Sequence, residues 1–304
     1  MSRKTQVAII GAGPAGLTAA IYLKRAMLDV VIIDKYAPGG KVNNTAHIEN
    51  YPGYELINGP ELATKMYEQA LSLGAEVSYG NVQKVDKVGD SLIVTTDEET
   101  IEATYVIVAS GTSERLLDVP GEATYTNRGV SYCAVCDGSF YKGEEVAVVG
   151  GGNAALEESL YLSTIVKKIY LIHRRQGFRA SAIIVDKVKN TPNIELVLDS
   201  VPLEIVGEKV VDGIKIQNVL TEEESIIPVK AVFPFIGQNP NTDFVKHLGV
   251  TTEAGFIVTN HELETSIKNL YAAGDCVDQK IRQIVVAAGD GAVAALNIAK
   301  HSAL

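Results

Sequence analysis

Two glycine-rich segments constrain the fold of this 304-residue chain more than any other feature. The first, Gly11-Ala-Gly-Pro-Ala-Gly16, follows an apolar run and precedes apolar residues at helical spacing. A second apolar run, Val30-Val-Ile-Ile33, ends at Asp34. A buried strand, a G-x-G-x-x-G turn, a helix and a second strand ending in an acid form the βαβ unit that binds dinucleotides. The glycines let the pyrophosphate approach the helix N-terminus, and the acid accepts hydrogen bonds from a ribose.

The same unit recurs 139 residues later. An apolar run leads into Gly150-Gly-Gly-Asn-Ala-Ala155, and after a helical pattern the run Ile169-Tyr-Leu-Ile172 follows. The position that corresponds to Asp34 is occupied by His173 instead of an acid. It begins a basic cluster with Arg174, Arg175 and Arg179. A carboxylate there would repel a ribose 2′-phosphate, whereas basic side chains can neutralise it. The first unit therefore suits FAD or NAD, and the second suits NADPH.

The two copies predict the domain organisation. A chain of this length contains about two domains, and each copy continues through short alternating strands to an apolar strand that ends in glycine. The tail from about residue 247, with a strand before Gly274-Asp275 and a helical pattern over Gln283–Lys300, is too small for a third domain. We therefore expect an α/β protein with two Rossmann-like, three-layer ββα domains. The first comprises residues 1–114 and 247–304, and the second, residues 115–246, is inserted into it.

A pair of cysteines lies just before the second unit. Cys133-Ala-Val-Cys136 has the spacing of a redox-active disulfide or of half a metal site. Zinc would need two more ligands, and the third cysteine, Cys276, and five scattered histidines do not supply them. We expect no metal and favour a redox dithiol over a pair of core thiols. Asp137 is either a turn residue or a general acid that protonates a departing thiolate, and we expect Cys276 to be a buried apolar residue.

Composition excludes several other classes of protein. The net charge of −10 argues against nucleic acid as a partner. The uncharged stretch from Thr5 to Leu23 is long enough to span a membrane, but the glycines and Pro14 in its middle indicate a strand, a turn and a helix. No signal-peptide pattern precedes it, and three cysteines suit a reducing cytoplasm.

The combination and order of these motifs resemble the low-molecular-weight thioredoxin reductases from about residue 5 to 300. The resemblance implies FAD in the first domain, NADPH in the second, a homodimer and thioredoxin as the disulfide partner. It also implies that Cys136 faces the flavin, that Cys133 attacks thioredoxin and that Asp137 donates a proton. The FAD residues it implies are Gly11, Gly13, Pro14, Ala15, Gly16, Asp34, Lys35, Gly39, Gly40, Lys41, Asn50, Val82, Gly111, Gly274, Asp275, Arg282, Gln283 and Ile284. Those for NADPH are Gly150, Gly152, Asn153, Ala154, Ala155, His173, Arg174, Arg175 and Arg179.

Three positions depart from the pattern of that family. Lys41 stands where glutamine is common, Ser110 replaces a threonine, and Cys276 replaces a valine.

Two other functions fit the scaffold less well. A ferredoxin- or flavodoxin-NADP reductase would not need the cysteine pair, and a non-catalytic flavin redox sensor would need an output domain.

Overall fold

The computed structural model describes residues 2–45 and 48–302. The chain divides into two compact units, one made of the residues up to Ser113 together with those from Asn239, the other of Glu114–Gln238. The first boundary lies one residue from the expected position, but the second lies eight residues earlier than expected. The reason is that the 3₁₀ turn Asp243–Leu248 packs on the first unit, where Val245 joins its core and His247 bonds Asp86.

The elements are as follows in chain order. The strands are β1 (Ser2–Ile10), β2 (Val30–Asp34), β3 (Glu76–Tyr79), β4 (Val82–Val88), β5 (Ser91–Thr96), β6 (Thr100–Val108), β7 (Thr112–Glu114), β8 (Glu145–Val149), β9 (Lys168–His173), β10 (Ile194–Leu198), β11 (Ser200–Gly207), β12 (Val211–Asn218), β13 (Glu224–Ile227), β14 (Ala231–Pro234), β15 (Gln238–Pro240) and β16 (Leu270–Ala272). The helices are α1 (Pro14–Arg25), α2 (Gly59–Ser72), α3 (Glu122–Tyr125), α4 (Ala134–Asp137), α5 (Asn153–Ser163), α6 (Ala182–Lys189) and α7 (Ile284–Ser302).

The first unit is built on a parallel sheet in the order β3-β2-β1-β6, with β16 beside the carboxyl half of β6. One face packs on α1, α2 and α7 through residues such as Ile9, Leu17 and Ile298, which belong to one core cluster. The opposite face, including Ile10, packs on the antiparallel strands β4 and β5, which carry Leu92. These are the three layers that the sequence predicts.

The inserted unit repeats this plan. Its parallel sheet has the order β10-β9-β8-β14, and a separate antiparallel sheet has the order β11-β12-β13. Val148 faces the helices with Leu156 and Leu162, whereas Val149 faces Ile214 of the antiparallel sheet. The protein is thus an α/β protein with two Rossmann-like domains, as expected from the sequence.

Two elements begin at residues that no motif marks. β1 begins at Ser2, before its apolar run, because its polar first half pairs with β6, where Ser2 lies opposite Thr100. α2 begins at Gly59 after the cap Asn58, whose side chain accepts a hydrogen bond from the amide of Glu61 at 2.8 Å.

Two segments connect the units. β7 and β15 pair with each other in a two-stranded sheet, and each unit boundary falls within one of these two strands.

Among the described residues, no helix is both long and apolar enough to cross a membrane.

Candidate functional site

The first glycine turn has the packing that a dinucleotide site requires. Gly11 has φ +107°, and a Cβ added there would lie 2.3 Å from the carbonyl oxygen of Ala109. A Cβ on Gly16 would lie 1.9 Å from the Gly11 oxygen, so this glycine lets α1 pack closely on the turn. A Cβ on Gly13 would have no described protein atom within 4 Å. The open side of Gly13 is therefore where a pyrophosphate can approach the N-terminus of α1.

Asp34 lies at the end of β2 beside this turn. Its Oδ2 accepts a hydrogen bond from the Ala12 amide at 2.7 Å, and its Oδ1 accepts one from the Tyr36 amide at 2.9 Å. A carboxylate offers about four acceptor positions, so capacity remains for a ribose hydroxyl. The Asp34 carbonyl also accepts from the Gly80 amide at 3.0 Å, which brings the chain leading to Val82 to the end of β2. The exposed Lys35 stacks its ammonium group on Tyr36.

Two further glycine segments meet the same turn. The Gly39 amide donates to the Ala12 oxygen at 2.7 Å, and a Cβ on Gly40 would lie 3.5 Å from the Cα of Gly13. On the other side, a Cβ on Gly274 would lie 3.0 Å from the Cβ of Ala15. The structure therefore brings Gly11–Gly16, Gly39, Gly40 and Gly274 together around one open cradle, whose shape fits a bound dinucleotide.

Sequence analysis missed two residues that hold Gly274 in place. Asp290 of α7 accepts hydrogen bonds from the Gly274 amide at 3.1 Å and from the Gln279 side chain at 3.2 Å. Gln279 also donates to the Gly274 oxygen at 3.0 Å. Burial raises the pKa of the Asp290 carboxyl. Both residues lie outside the dinucleotide-binding motifs, and only the folded structure reveals their contact with the turn.

The remaining residues expected at the first site form three small contacts. Asn50 donates to Gln283 at 3.2 Å, just before Ile284 begins α7. Arg282 donates to the Asp275 oxygen at 3.4 Å and lies over the Phe256 ring.

The third contact involves Lys41. Its Nζ donates to the Thr112 hydroxyl at 2.8 Å, which joins the turn after Gly39 to the start of β7. Gly111 immediately precedes that strand.

The second glycine turn repeats the first. A Cβ on Gly150 would lie 2.4 Å from the Phe235 oxygen, whereas one on Gly152 would have no described protein atom within 4 Å. Asn153 and Ala154 are exposed at the start of α5, and Ala155 is buried in the place of the third glycine. This turn therefore also leaves an open approach for a pyrophosphate.

The basic cluster divides into one buried and three exposed residues. His173 is 6% exposed, its ring stacks on Phe178, and its Nε2 lies 3.2 Å from the Gly177 oxygen. Burial lowers the pKa of the imidazole, with a smaller contribution from the neighbouring arginines. Arg174, Arg175 and Arg179 are exposed and available to an anion.

The loop that carries these arginines is held against the second glycine turn. The Arg179 amide donates to the Gly151 oxygen at 2.7 Å, and the Ser181 amide donates to the Asn153 side chain at 2.9 Å. A Cβ on Gly151 would lie 2.1 Å from the His173 ring. The stacking of Phe178 on the His173 ring could not be predicted from the sequence, because no motif marks Phe178 as a neighbour of that ring.

The cysteine pair forms a disulfide with a Cα–Cα distance of 5.3 Å. Cys133 caps α4, and its Sγ accepts a hydrogen bond from the Cys136 amide at 3.2 Å. The Cys133 amide donates to the Ser131 hydroxyl at 3.2 Å. Both cysteines and the adjacent Asp137 are half-buried, and the charge of Asp137 contributes, after burial, to a raised pKa of Tyr141.

Cys276, as expected, is fully buried, and burial raises the pKa of its thiol to about 11. Within residues 2–45 and 48–302, the structure contains no group of three or more side chains that could hold a metal ion.

Comparisons with known proteins agree with this arrangement. Residues 5–291 match the family model described as pyridine nucleotide-disulphide oxidoreductase. A thioredoxin reductase of Mycoplasma pneumoniae is 46% identical over 96% of this chain and 93% of its own, and one of Listeria monocytogenes is 43% identical over 97% and 93%. The crystal structure of thioredoxin reductase from Streptococcus pyogenes superposes with a TM-score of 0.94, at 44% identity over 99% of this chain and 98% of that one. The chain therefore belongs to the pyridine nucleotide-disulphide oxidoreductase family and, within it, to the thioredoxin reductases.

Proposed function

We propose that this protein reduces the disulfide of thioredoxin with electrons from NADPH, through FAD and the Cys133–Cys136 pair. The observation that carries the proposal is a disulfide in the same unit as a glycine turn flanked by three exposed arginines. The other unit supplies a second dinucleotide cradle, so one chain holds a donor site, a flavin site and an acceptor dithiol.

In this proposal the first cradle holds FAD. The turn Gly11–Gly16 binds its pyrophosphate, Asp34 its ribose, and the segments at Gly39 and Gly274 enclose it. Bound flavin would accept a hydride from the nicotinamide and pass the electron pair to the protein disulfide. NADPH binds at Gly150–Ala155, with its 2′-phosphate on the arginines.

The dithiol carries out the exchange with thioredoxin. The Cys133 thiolate attacks one sulfur of the thioredoxin disulfide, and the bond formed is a mixed disulfide. Cys136 then attacks Cys133, which releases the second thioredoxin thiol and restores the disulfide of the protein. The Cys136 amide at 3.2 Å from the Cys133 sulfur stabilises a thiolate there. Asp137 supplies the proton when a thiolate leaves.

Two alternative functions leave particular residues without a role. A ferredoxin- or flavodoxin-NADP reductase gives no role to the cysteine pair. A flavin redox sensor gives no role to the exposed arginines beside the second turn.

We further propose that the protein is a cytoplasmic homodimer. α7 presents Val285, Val293 and Leu296 to solvent, with exposed fractions of 44%, 41% and 55%. These residues lie eight and three positions apart, hence on one face of the helix. An exposed apolar stripe of this kind suits contact with a second copy. Sedimentation of wild type and of Leu296→Glu tests this, since a monomeric wild type contradicts the proposal.

The function is tested with purified protein. The expected result is a yellow protein that oxidises NADPH in the presence of an aromatic disulfide reagent only when thioredoxin is added. Turnover without thioredoxin, or turnover with ferredoxin as the acceptor, would contradict the proposal.

The roles of the two cysteines are tested by trapping. Cys136→Ser keeps the attacking Cys133 and is expected to accumulate a mixed disulfide with a thioredoxin that lacks its own second cysteine. Cys133→Ser is expected to trap little. The reverse pattern would exchange the two roles, and electrophoresis without reductant measures both.

A further inference from the structure

A buried carboxylate lies near the start of the inserted unit, and the steps above do not use it. Glu122 begins α3 and is 4% exposed. Its Oε1 accepts hydrogen bonds from the Leu117 amide and the Tyr132 hydroxyl, both at 2.9 Å. Its Oε2 accepts one from the Asp118 amide, also at 2.9 Å. Three donors compensate the desolvation of this charge, which a buried carboxylate requires.

The partners of Glu122 come from two places in the chain. Leu117 and Asp118 lie three and four residues after β7 ends, so they continue the first connecting segment. Asp118 has φ +57°, a conformation that few non-glycine residues adopt without support. Tyr132 directly precedes Cys133. The Glu122 carboxylate thus links the first connecting segment to Tyr132, the residue before the disulfide. These hydrogen bonds of Glu122 to Leu117, Asp118 and Tyr132 are called the tie below.

Short contacts on both sides of Tyr132 extend the tie to the backbone of Cys133. Burial, followed by the hydrogen bond to Glu122, raises the pKa of Tyr132, so its phenol stays protonated and donates. On the other side of Tyr132, the Ser131 amide donates to the Val232 oxygen of β14 at 3.1 Å, and the Ser131 hydroxyl accepts from the Cys133 amide. Tyr132 is therefore held by its side chain at Glu122 and by its backbone neighbour at the sheet.

The connecting segments are also braced to each other beside this tie. Gln238 of β15 donates to the Glu114 carboxylate at 3.1 Å, and the Arg115 amide donates to the Gly237 oxygen at 3.0 Å. The charge of Glu114 adds to the raised pKa of Tyr132, after burial and the larger effect of Glu122. The connecting segments, Glu122 and Tyr132 therefore form one set of hydrogen bonds that ends at the residue before Cys133.

We propose that Glu122 is a positioning residue for the dithiol, which it holds in fixed geometry relative to the connecting segments. The proposal rests on the proposed roles of Cys133 and Cys136. It predicts that loss of the tie slows the steps that use the dithiol and leaves the reduction of flavin by NADPH unchanged, because the NADPH residues proposed here make no hydrogen bond to Glu122.

The test uses two variants of the FAD-loaded enzyme. Glu122→Gln keeps the shape of the side chain but replaces one carboxylate oxygen with an amide donor. Because the Leu117 and Asp118 amides bond different oxygens, one of them loses its acceptor. Tyr132→Phe removes only the hydrogen bond between Glu122 and the residue before Cys133, so it keeps the carboxylate and its backbone partners. A misplacement of about 1 Å can reduce a rate by about a hundredfold. We expect kcat with thioredoxin to fall by about tenfold in Glu122→Gln and by less in Tyr132→Phe.

The matched control is Glu195→Gln, the same change at an exposed glutamate that pairs with Lys168 in the same unit. It is expected to retain wild-type kcat. Rapid-mixing measurements of flavin reduction by NADPH are expected to give the wild-type rate in all variants. The double variant Glu122→Gln/Tyr132→Phe is expected to lose no more than Glu122→Gln alone, since the two residues act through one contact.

Three outcomes would overturn the proposal. These are wild-type kcat in Glu122→Gln, an equal fall in both half-reactions, and additive losses in the double variant. The last two would show a general role in stability rather than placement of the dithiol. A failure of the wild-type protein to reduce thioredoxin would instead overturn the proposed function, so the two failures are distinguishable.

Discussion

At the scale of single residues, the histidine and the arginines after β9 differ in what they can contact. The sequence predicts that all four basic residues bind a 2′-phosphate. The structure instead buries His173 between Gly151 and Phe178, which favours its neutral form. We therefore assign the charge contacts to the arginines, and we interpret His173 as the residue that supports their loop.

The arginines are expected to select NADPH over NADH. A charge-assisted hydrogen bond contributes about 1.5–3 kcal/mol, so each of Arg174→Ala and Arg175→Ala is expected to raise KM for NADPH by about tenfold to a hundredfold. KM for NADH is expected to change little because NADH lacks the 2′-phosphate. Steady-state kinetics with both nucleotides measure this, and equal losses for both would contradict the assignment.

The burial of His173 predicts a dependence of stability on pH. Its pKa is lowered in the folded state, whereas in the unfolded chain it is about 6.5. Below that pH the unfolded chain binds the proton more readily, so this contribution to stability is complete above about pH 6.5 and is lost as the pH falls. In urea unfolding, His173→Asn is therefore expected to lose less stability between pH 8 and pH 5.5 than wild type. An equal loss in both proteins would show that His173 does not titrate on unfolding.

At the scale of elements, the two glycine turns show that glycines of one motif have different roles. Some allow the chain to pack tightly in the turn, and others leave room for a ligand. The structure distinguishes the two kinds by the space around each position. A Cβ added to Gly16 would lie 1.9 Å from the Gly11 oxygen. A Cβ added to Gly13 would lie in open space, and the φ of Gly13, −79°, is one that any residue adopts. Substitution at the two positions should therefore have different consequences.

Gly13→Ala is expected to fold normally and to lose FAD. Its added methyl group contacts no described protein atom but projects into the approach of the pyrophosphate, so the free energy of unfolding of the apoprotein should match wild type. Gly16→Ala serves as the comparison, because its methyl group meets backbone, and it is expected to destabilise the apoprotein itself. Flavin absorbance after purification and urea unfolding of the apoproteins measure both effects. A Gly13→Ala protein that retains FAD with wild-type affinity would contradict the assignment of this cradle.

The elements also show the limits of the sequence. Residues 239–246 were assigned to the inserted domain because no motif marks where they pack, which depends on pairing with β7 and on the core around Val245. The contacts of Asp290 and Glu122 could not be predicted for the same reason, because each joins residues that only tertiary packing brings together.

At the scale of the whole molecule, the order of motifs along the chain places the cysteine pair and the second glycine turn in one unit. α4 packs on α5 near Leu162, where a Cβ on Gly138 would lie 2.7 Å from the leucine side chain. The glycine turn lies at the other end of α5, before Asn153. At a rise of about 1.5 Å per residue these ends are about 14 Å apart. The helix fixes the cysteine pair and the second glycine turn to the same unit at separate positions.

This arrangement predicts that the inserted unit adopts two orientations during turnover. Hydride transfer and disulfide reduction each require contact with the flavin at roughly 3–3.5 Å. The nicotinamide and the disulfide belong to one unit, so they would have to take turns at a flavin held by the other unit. Within the described residues, the chain passes between the units at β7 and at β15. A pair of short connections permits hinge rotation.

The two orientations can be measured with dyes on exposed positions of each unit. Lys65 of α2 and Lys187 of α6 are both exposed, and replacing them with non-canonical amino acids leaves the cysteines free of label. Single-molecule energy transfer is expected to show two distances, and a thioredoxin trapped on Cys136→Ser is expected to enrich the one that exposes Cys133. Wild type and the doubly labelled enzyme should have the same kcat, which is the control for the labels. An active labelled enzyme with a single distance that neither NADPH nor thioredoxin changes would show that both transfers occur without rotation.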